Sequence, residues 1–102
     1  MKIYLDDVRL PPMDDPTWIW VRTAEQLIEL LQTGIVTEVD LDHDLGEYPA
    51  KTGYDVILWL EQKVHEDFNF VLPKVYIHTA SPVGFEKMHK AIQIIHKYLE
   101  ER

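Results

Sequence analysis

The sequence predicts an α/β fold: an open parallel sheet of about four strands with three helices. Two observations carry that prediction. Short segments rich in β-branched and aromatic residues alternate with amphipathic helical patterns. Strands alternating with helices imply β-α-β units joined by right-handed crossovers. Three of the strand-like segments also run into polar groups at their ends, and open sheets of this kind gather ligands at the carboxyl ends of their strands.

The strand signals are KIYLD (2–6), TWIWVR (17–22), TEVDLD (37–42) and KVYIHT (74–79). Only the loop LPPMDDP (10–16) interrupts the first two. The first helix is well punctuated. Thr23-Ala24-Glu25-Gln26 forms a capping box, Leu27, Ile28, Leu30 and Leu31 make an apolar stripe, and Gly34 stands where a C-terminal cap belongs. The second opens at Thr52-Gly53-Tyr54-Asp55 and offers Val56, Ile57, Leu60 and Val64 to a core. The third follows Ser81-Pro82, a capping residue and a first-turn proline. Its Phe85, Met88, Ile92, Ile95 and Leu99 are spaced to form one core-facing face.

A length of 102 residues suits a single domain, 1–102, with one apolar core. With 46% hydrophobic and 27% charged residues, disorder is not expected. No apolar run approaches a membrane span, and MKIYLDDVR lacks the apolar stretch of a signal peptide. Zero cysteines exclude a disulfide framework and a thiolate metal site, so the cytoplasm is the expected compartment. The net charge of −8 opposes an extended nucleic-acid groove. It leaves room for a small phosphorylated ligand, or for a cation held among carboxylates.

The acids concentrate in VDLDHDLGE (39–47), where Asp40, Asp42 and Asp44 alternate with other residues. A calcium loop counted from Asp40 would need glycine at its sixth position and glutamate at its twelfth. The chain has Leu45 and Lys51 there, so the EF-hand reading fails. Parallel pairing instead brings Asp6 and Asp7, Asp42, His43 and Asp44, and His78, Thr79 and Ser81 to one sheet edge. Clustered carboxylates share a proton or a cation, and oxygen-rich clusters suit Mg²⁺ or Mn²⁺. Asp6, Asp7, Asp42 and Asp44 are the candidate ligands, with loop or helix capping as the alternative for each. His78 and His43 are the candidate proton carriers. Arg9, Thr79 and Ser81 are candidates for holding phosphate, although Arg9 has ion pairs and Ser81 has a helix cap as alternatives. Trp18, Trp20 and Arg22 share one strand face, for which packing under a helix is preferred over stacking on a nucleobase. His65, His89 and His96 are assigned to solvated helix faces.

LDDVRLPP, LDHDLG with TGYDVILWL, and IHTASPVGFEKM, taken together and in this order, resemble the cyclic-phosphate-processing receiver-like domain family. The resemblance spans nearly the whole chain. It implies a truncated receiver-like (flavodoxin-like) sheet, an acidic pocket for Mg²⁺ or Mn²⁺, and hydrolysis or binding of cyclic phosphates. Asp6 and Asp7 match the acidic pair of receivers, and Thr79 the hydroxyl residue after the fourth strand. Asp42 and Asp44 both compete for the acceptor position. The chain departs from phosphorelay receivers in lacking their fifth strand and its terminal lysine, and from the family pattern at Ser81 and Phe85. The expectation is a metal-dependent cyclic phosphodiesterase acting on a cyclic nucleotide or a 2′,3′-cyclic phosphate end. The alternative is a non-catalytic receiver-like module that binds a nucleotide or a protein.

Overall fold

A computed structural model describes residues 1–47 and 49–102. The elements are β1 (Lys2–Leu5), β2 (Trp18–Val21), α1 (Ala24–Leu31), β3 (Glu38–Leu41), α2 (Gly53–Glu66), β4 (Lys74–Ile77) and α3 (Pro82–Glu101). The strands form one parallel sheet in the order β2-β1-β3-β4. This is the expected α/β arrangement, a four-stranded parallel sheet with three helices, and it has a receiver-like form.

Each helix starts where its capping chemistry places it. Thr23 Oγ1 accepts from the Gln26 N–H at 3.2 Å, and Gln26 Oε1 accepts from the Thr23 N–H at 3.2 Å. The Asp55 carboxylate accepts from the Thr52 N–H at 2.7 Å before α2. Ser81 Oγ accepts from the Gly84 N–H at 3.0 Å before α3. These bonds satisfy amide hydrogens that have no partner inside the helix.

One core lies between the helices and one face of the sheet. Ile3, Leu5, Val21, Val39 and Leu41 from the strands meet Leu27, Leu31, Val56, Ile57, Leu60, Val64, Met88, Ile92 and Ile95 from the helices. Fully burying one such side chain contributes roughly 1.5–3 kcal/mol. The predicted core face of α3 loses its first member, because Phe85 is exposed and stacks on His89 instead. The position facing the sheet in that turn is Gly84, against which the His43 ring packs.

Among the described residues, no helix covers the other face of the sheet. By strand alternation it presents Lys2 and Tyr4, Trp18 and Trp20, Glu38 and Asp40, and Lys74 and Tyr76. None of its aromatic residues joins the core cluster. The expectation that Trp18 and Trp20 pack under a helix is therefore corrected. The β1–β2 connection contains no helix to cover them, and α1, α2 and α3 pack together on the opposite side.

Candidate functional site

Three residues that follow directly on strands define the site. Asp6, Asp42 and His78 each extend the ladder by one bond. The Asp6 N–H donates to the Val21 carbonyl (3.1 Å), the Asp42 N–H to Leu5 (3.0 Å) and the His78 N–H to Leu41 (2.9 Å). The register aligns them across β1, β3 and β4. Because side chains alternate, all three project from the helix-free face, one row beyond Tyr4, Asp40 and Tyr76. Each of the three offers a ligand atom within 4.8 Å of the others.

Asp6 is almost fully buried and anchors the group. Its Oδ1 accepts from the Val8 and Arg9 N–H groups, both at 2.9 Å, and its Oδ2 lies 3.0 Å from His78 Nε2. Burial alone would raise its pKa. The two amide donors and the imidazole outweigh that and hold it below the usual carboxylate range. Asp42 is buried without comparable support. Burial and the neighbouring Asp6 charge push its pKa up, while the His43 N–H, 2.8 Å from its Oδ1, pulls the other way.

His78 is held from both sides, by Asp6 at Nε2 and by Asp40 at Nδ1, at 2.6 Å. Its ring stacks on Tyr4, with centroids 4.3 Å apart and planes 7° apart. Burial disfavours the charged imidazole, but the hydrogen bond and charge of Asp40, then Asp6 and Asp42, overcome it and raise the pKa. With two carboxylate acceptors, the imidazolium is the form in which both ring nitrogens donate.

The other sequence-predicted residues stand around this centre. Arg9 is largely exposed, with Nε 3.8 Å from Asp6 Oδ2, so the ion-pair alternative describes its present contact. The Asp7 carbonyl accepts from Arg22 Nε (3.2 Å) and Nη2 (2.7 Å), which fastens the β1–β2 connection to β2. The Asp44 side chain is 72% exposed and pairs with His43 Nδ1 at 2.9 Å, beside the Asp6–Asp42–His78 group and outside it. His43 is fixed by that bond and by its packing on Gly84. Thr79 Oγ1 accepts from the Ser81 N–H at 3.2 Å, and the Ser81 hydroxyl serves as the α3 cap. Asp40, Tyr4 and Trp20 complete the centre without having been singled out as site residues. Trp20 Nε1 donates to the Asp6 carbonyl at 2.8 Å. Strand alternation would have found them, since Asp40 and Asp42, like Tyr4 and Asp6, share a face.

The site has a rigid floor. A Cβ on Gly53 would lie 1.9 Å from the Asp42 carbonyl oxygen, so only glycine lets α2 begin this close to the end of β3. The Gly53 N–H donates to the His43 carbonyl at 3.0 Å.

Two buried carboxylates and a histidine thus stand at one edge of a parallel α/β sheet. Residues 1–94 match the model of the cyclic-phosphate processing receiver domain. The chain belongs to that family. Comparisons with curated proteins and with solved structures give no significant match. In this cyclic-phosphate processing receiver domain, a cavity also lies away from that edge. It measures about 330 Å³ and is lined by Leu31, Val36, Phe70 and Pro73, near the amino ends of β3 and β4. The carboxylates and the imidazole converge at the carboxyl ends of the strands instead. No helix among the described residues is long and apolar enough to cross a membrane.

The donor set fits a divalent cation. Two carboxylates of like charge lie close enough to raise the pKa of one of them, and a cation between them would remove that repulsion. Two oxygens and one imidazole nitrogen suit Mn²⁺, whereas Mg²⁺ would be held by the Asp6 and Asp42 carboxylates with water.

Proposed function

We propose that this domain is a metal-dependent phosphodiesterase for small cyclic phosphates, either cyclic nucleotides or 2′,3′-cyclic phosphate ends. The observation that carries the reading is the convergence of Asp6, Asp42 and His78 within 4.8 Å at the carboxyl ends of the strands, in a chain of a family named for cyclic-phosphate processing. Asp6 and Asp42 hold the cation, with Asp7 and Asp44 at the rim of the same edge. A divalent cation supplies Lewis acidity to a phosphoryl oxygen and lowers the pKa of water. Arg9, exposed at the mouth and tied only loosely to Asp6, swings onto the phosphate and stabilises its developing charge. Thr79 and Ser81 border the phosphate position.

His78 carries the proton. As water adds to phosphorus and the ring P–O bond breaks, the imidazolium form, favoured by Asp40 and Asp6, gives its proton to the leaving ring oxygen, and the neutral ring then takes up the proton lost by the attacking water. Asp40 fixes the ring orientation and stabilises its charged form, and Tyr4 supports it from below. His43 stands further off, against Gly84, where it orders the Asp44 segment. A second reading, a non-catalytic receptor for the same phosphates, is favoured by one observation: both ring nitrogens of His78 are engaged by the protein itself.

The deciding experiment measures product formation from 2′,3′- and 3′,5′-cyclic nucleotides and a cyclic-phosphate-ended oligonucleotide, with Mn²⁺ or Mg²⁺, between pH 5 and 9. Turnover that His78→Ala lowers by ~10² to 10⁴, with His89→Ala unchanged, is expected for general acid–base catalysis. Tight binding of one compound with no turnover on any of them establishes the non-catalytic reading instead.

A further inference from the structure

The helix-free face runs directly into the site. Trp20 Nε1 is bonded to the Asp6 carbonyl, Tyr4 stacks under His78, and Tyr76 lies two residues before His78 on β4. Tyr76 is 38% exposed. Its ring meets Trp18 edge to face at 6.1 Å, although the two residues come from opposite edges of the four-stranded sheet. The two rings thus make a right-angled notch above Lys2 and Glu38. Every ring of β2 and β4 on this face also carries a cation: Lys2 Nζ over Trp18 (4.6 Å), Arg22 over Trp20 (5.0 Å) and Lys74 Nζ over Tyr76 (5.1 Å).

We propose that this notch binds the nucleobase of the ligand, so that the domain takes nucleotides rather than cyclic phosphates in general. The inference rests on the phosphate reading of the Asp6–Asp42–His78 site and names the other half of the molecule bound there. Two residues of strand span ~7 Å, a distance comparable with a nucleoside from its phosphate to its base. A phosphate at His78 therefore puts its base beside Tyr76. The base lies on the Tyr76 ring with its edge toward Trp18, and the exposed Lys74 ammonium moves from the ring toward the ribose and phosphate. Aromatic rings paired with cations are how proteins stack a base without reading its sequence.

Charge sets the size of the ligand. Lys2 is tied to Asp15 at 2.7 Å, and Glu38 and Asp40 lie on the same face. The cations are thus offset by acids, and the face offers no basic track for a long polyanion. One base and one cyclic phosphate match what is present: two aromatic walls next to one acidic, cation-binding end.

The test is an NMR titration of the full chain in Mg²⁺ buffer with three probes: adenosine 2′,3′-cyclic phosphate, glycerol 1,2-cyclic phosphate, which has the same phosphate ring and no base, and adenosine. Expected is tighter binding of the nucleotide than of the glycerol compound, with a shift of the Trp18 indole N–H. Tyr76→Ala and Trp18→Ala each weaken the nucleotide roughly fivefold to a hundredfold, the range of one base–aromatic stack, and leave glycerol cyclic phosphate unchanged. Tyr76→Leu, which keeps the apolar cover, shows the same loss if the effect is stacking rather than misfolding. Equal affinity of nucleotide and glycerol compound, untouched by these substitutions, overturns the base site while the phosphate reading stands. Adenosine binding at Trp18 and Tyr76 with no gain from the phosphate keeps the base site and sinks the phosphate reading. A concentration-dependent dimer that Trp18→Ala dissociates and nucleotide does not displace assigns the face to a second copy and overturns the proposal.

Discussion

Asp40→Asn tests the histidine clamp without removing any volume. In the folded protein Asp40 Oδ1 lies 2.6 Å from His78 Nδ1, and neither side chain is more than 20% exposed. A hydrogen bond to a charged partner is worth about 1.5–3 kcal/mol, against about 0.5–1.5 for a neutral one. The amide oxygen of asparagine can still accept from Nδ1, so the expected cost is the difference, about 1–1.5 kcal/mol. For a domain of this size that corresponds to a Tm decrease of roughly 4–12 °C.

The pH dependence identifies the cause. The pKa of His78 is raised because the bond and charge of Asp40, with Asp6, overcome burial. A raised histidine contributes stability that is fully present below its unfolded value, about 6.5, and is lost as pH rises through the folded value. Asp40→Asn should therefore cost most near pH 5.5, and the cost should shrink to less than half by pH 9. Thermal melts of both proteins in EDTA across that range, with urea melts as a second measure, provide the comparison. A cost that is the same at pH 5.5 and pH 9, or that grows with pH, refutes the ion-pair account of this clamp.

Asp42→Asn should stabilise the metal-free protein. Two unit charges no more than 4.8 Å apart repel by about 0.9 kcal/mol in water and about 3.5 at an effective dielectric of 20. The attraction of Asp42 to His78 offsets part of this, leaving a gain of about 1 kcal/mol at neutral pH. Because the pKa of Asp42 is raised by burial and by Asp6, the gain should fade as acid protonates Asp42 in the wild type. The wild type should gain about 2.7 kcal/mol from Mn²⁺ at a hundredfold excess over Kd, and Asp42→Asn should lose that response; a Tm unchanged by millimolar Mn²⁺ or Mg²⁺ would exclude the cation. Gly53→Ala should cost at least 1–3 kcal/mol, read in urea melts, since its Cβ would meet the Asp42 carbonyl at 1.9 Å. A Gly53→Ala protein as stable as the wild type would show that α2 is free to shift away from β3.

The elements were legible because local chemistry marks them. Thr23 with Gln26, Thr52 with Asp55, and Ser81 with Pro82 each open the helix they predict, and the four strands end within two residues of their expected limits. The shared edge was legible too, since Asp6, Asp42 and His78 each follow directly on a strand. What the pattern missed depends on neighbours that are remote in sequence. Asp40 is one of three aspartates in VDLDHDLGE, and nothing local shows that it, rather than Asp44, bonds to His78; that follows from Asp40 lying one row below His78 across β3 and β4. Phe85 fits the apolar period of α3, yet the first turn of that helix meets His43 rather than the core.

The helix-free face follows from the same kind of non-local fact. In the order β2-β1-β3-β4 the chain leaves β1 in one direction across the sheet and then returns past it from β2 to β3 and on to β4. Right-handed connections running in opposite directions lie on opposite faces. The β1–β2 connection alone belongs to the side of Trp18 and Trp20, and it is the connection that lacks a helix. The sequence announces that missing helix in LPPMDDP, with its prolines and acids between two strands. It does not announce that β2 lies at the far edge, beyond β1. Once the strand order is known, the rings of this face, the cations over them and the acidic row at their end form one continuous surface. A helix placed in this connection would cover Trp18 and Trp20 while leaving Asp6, Asp42 and His78 in register, and it would separate binding of the base from binding of the phosphate.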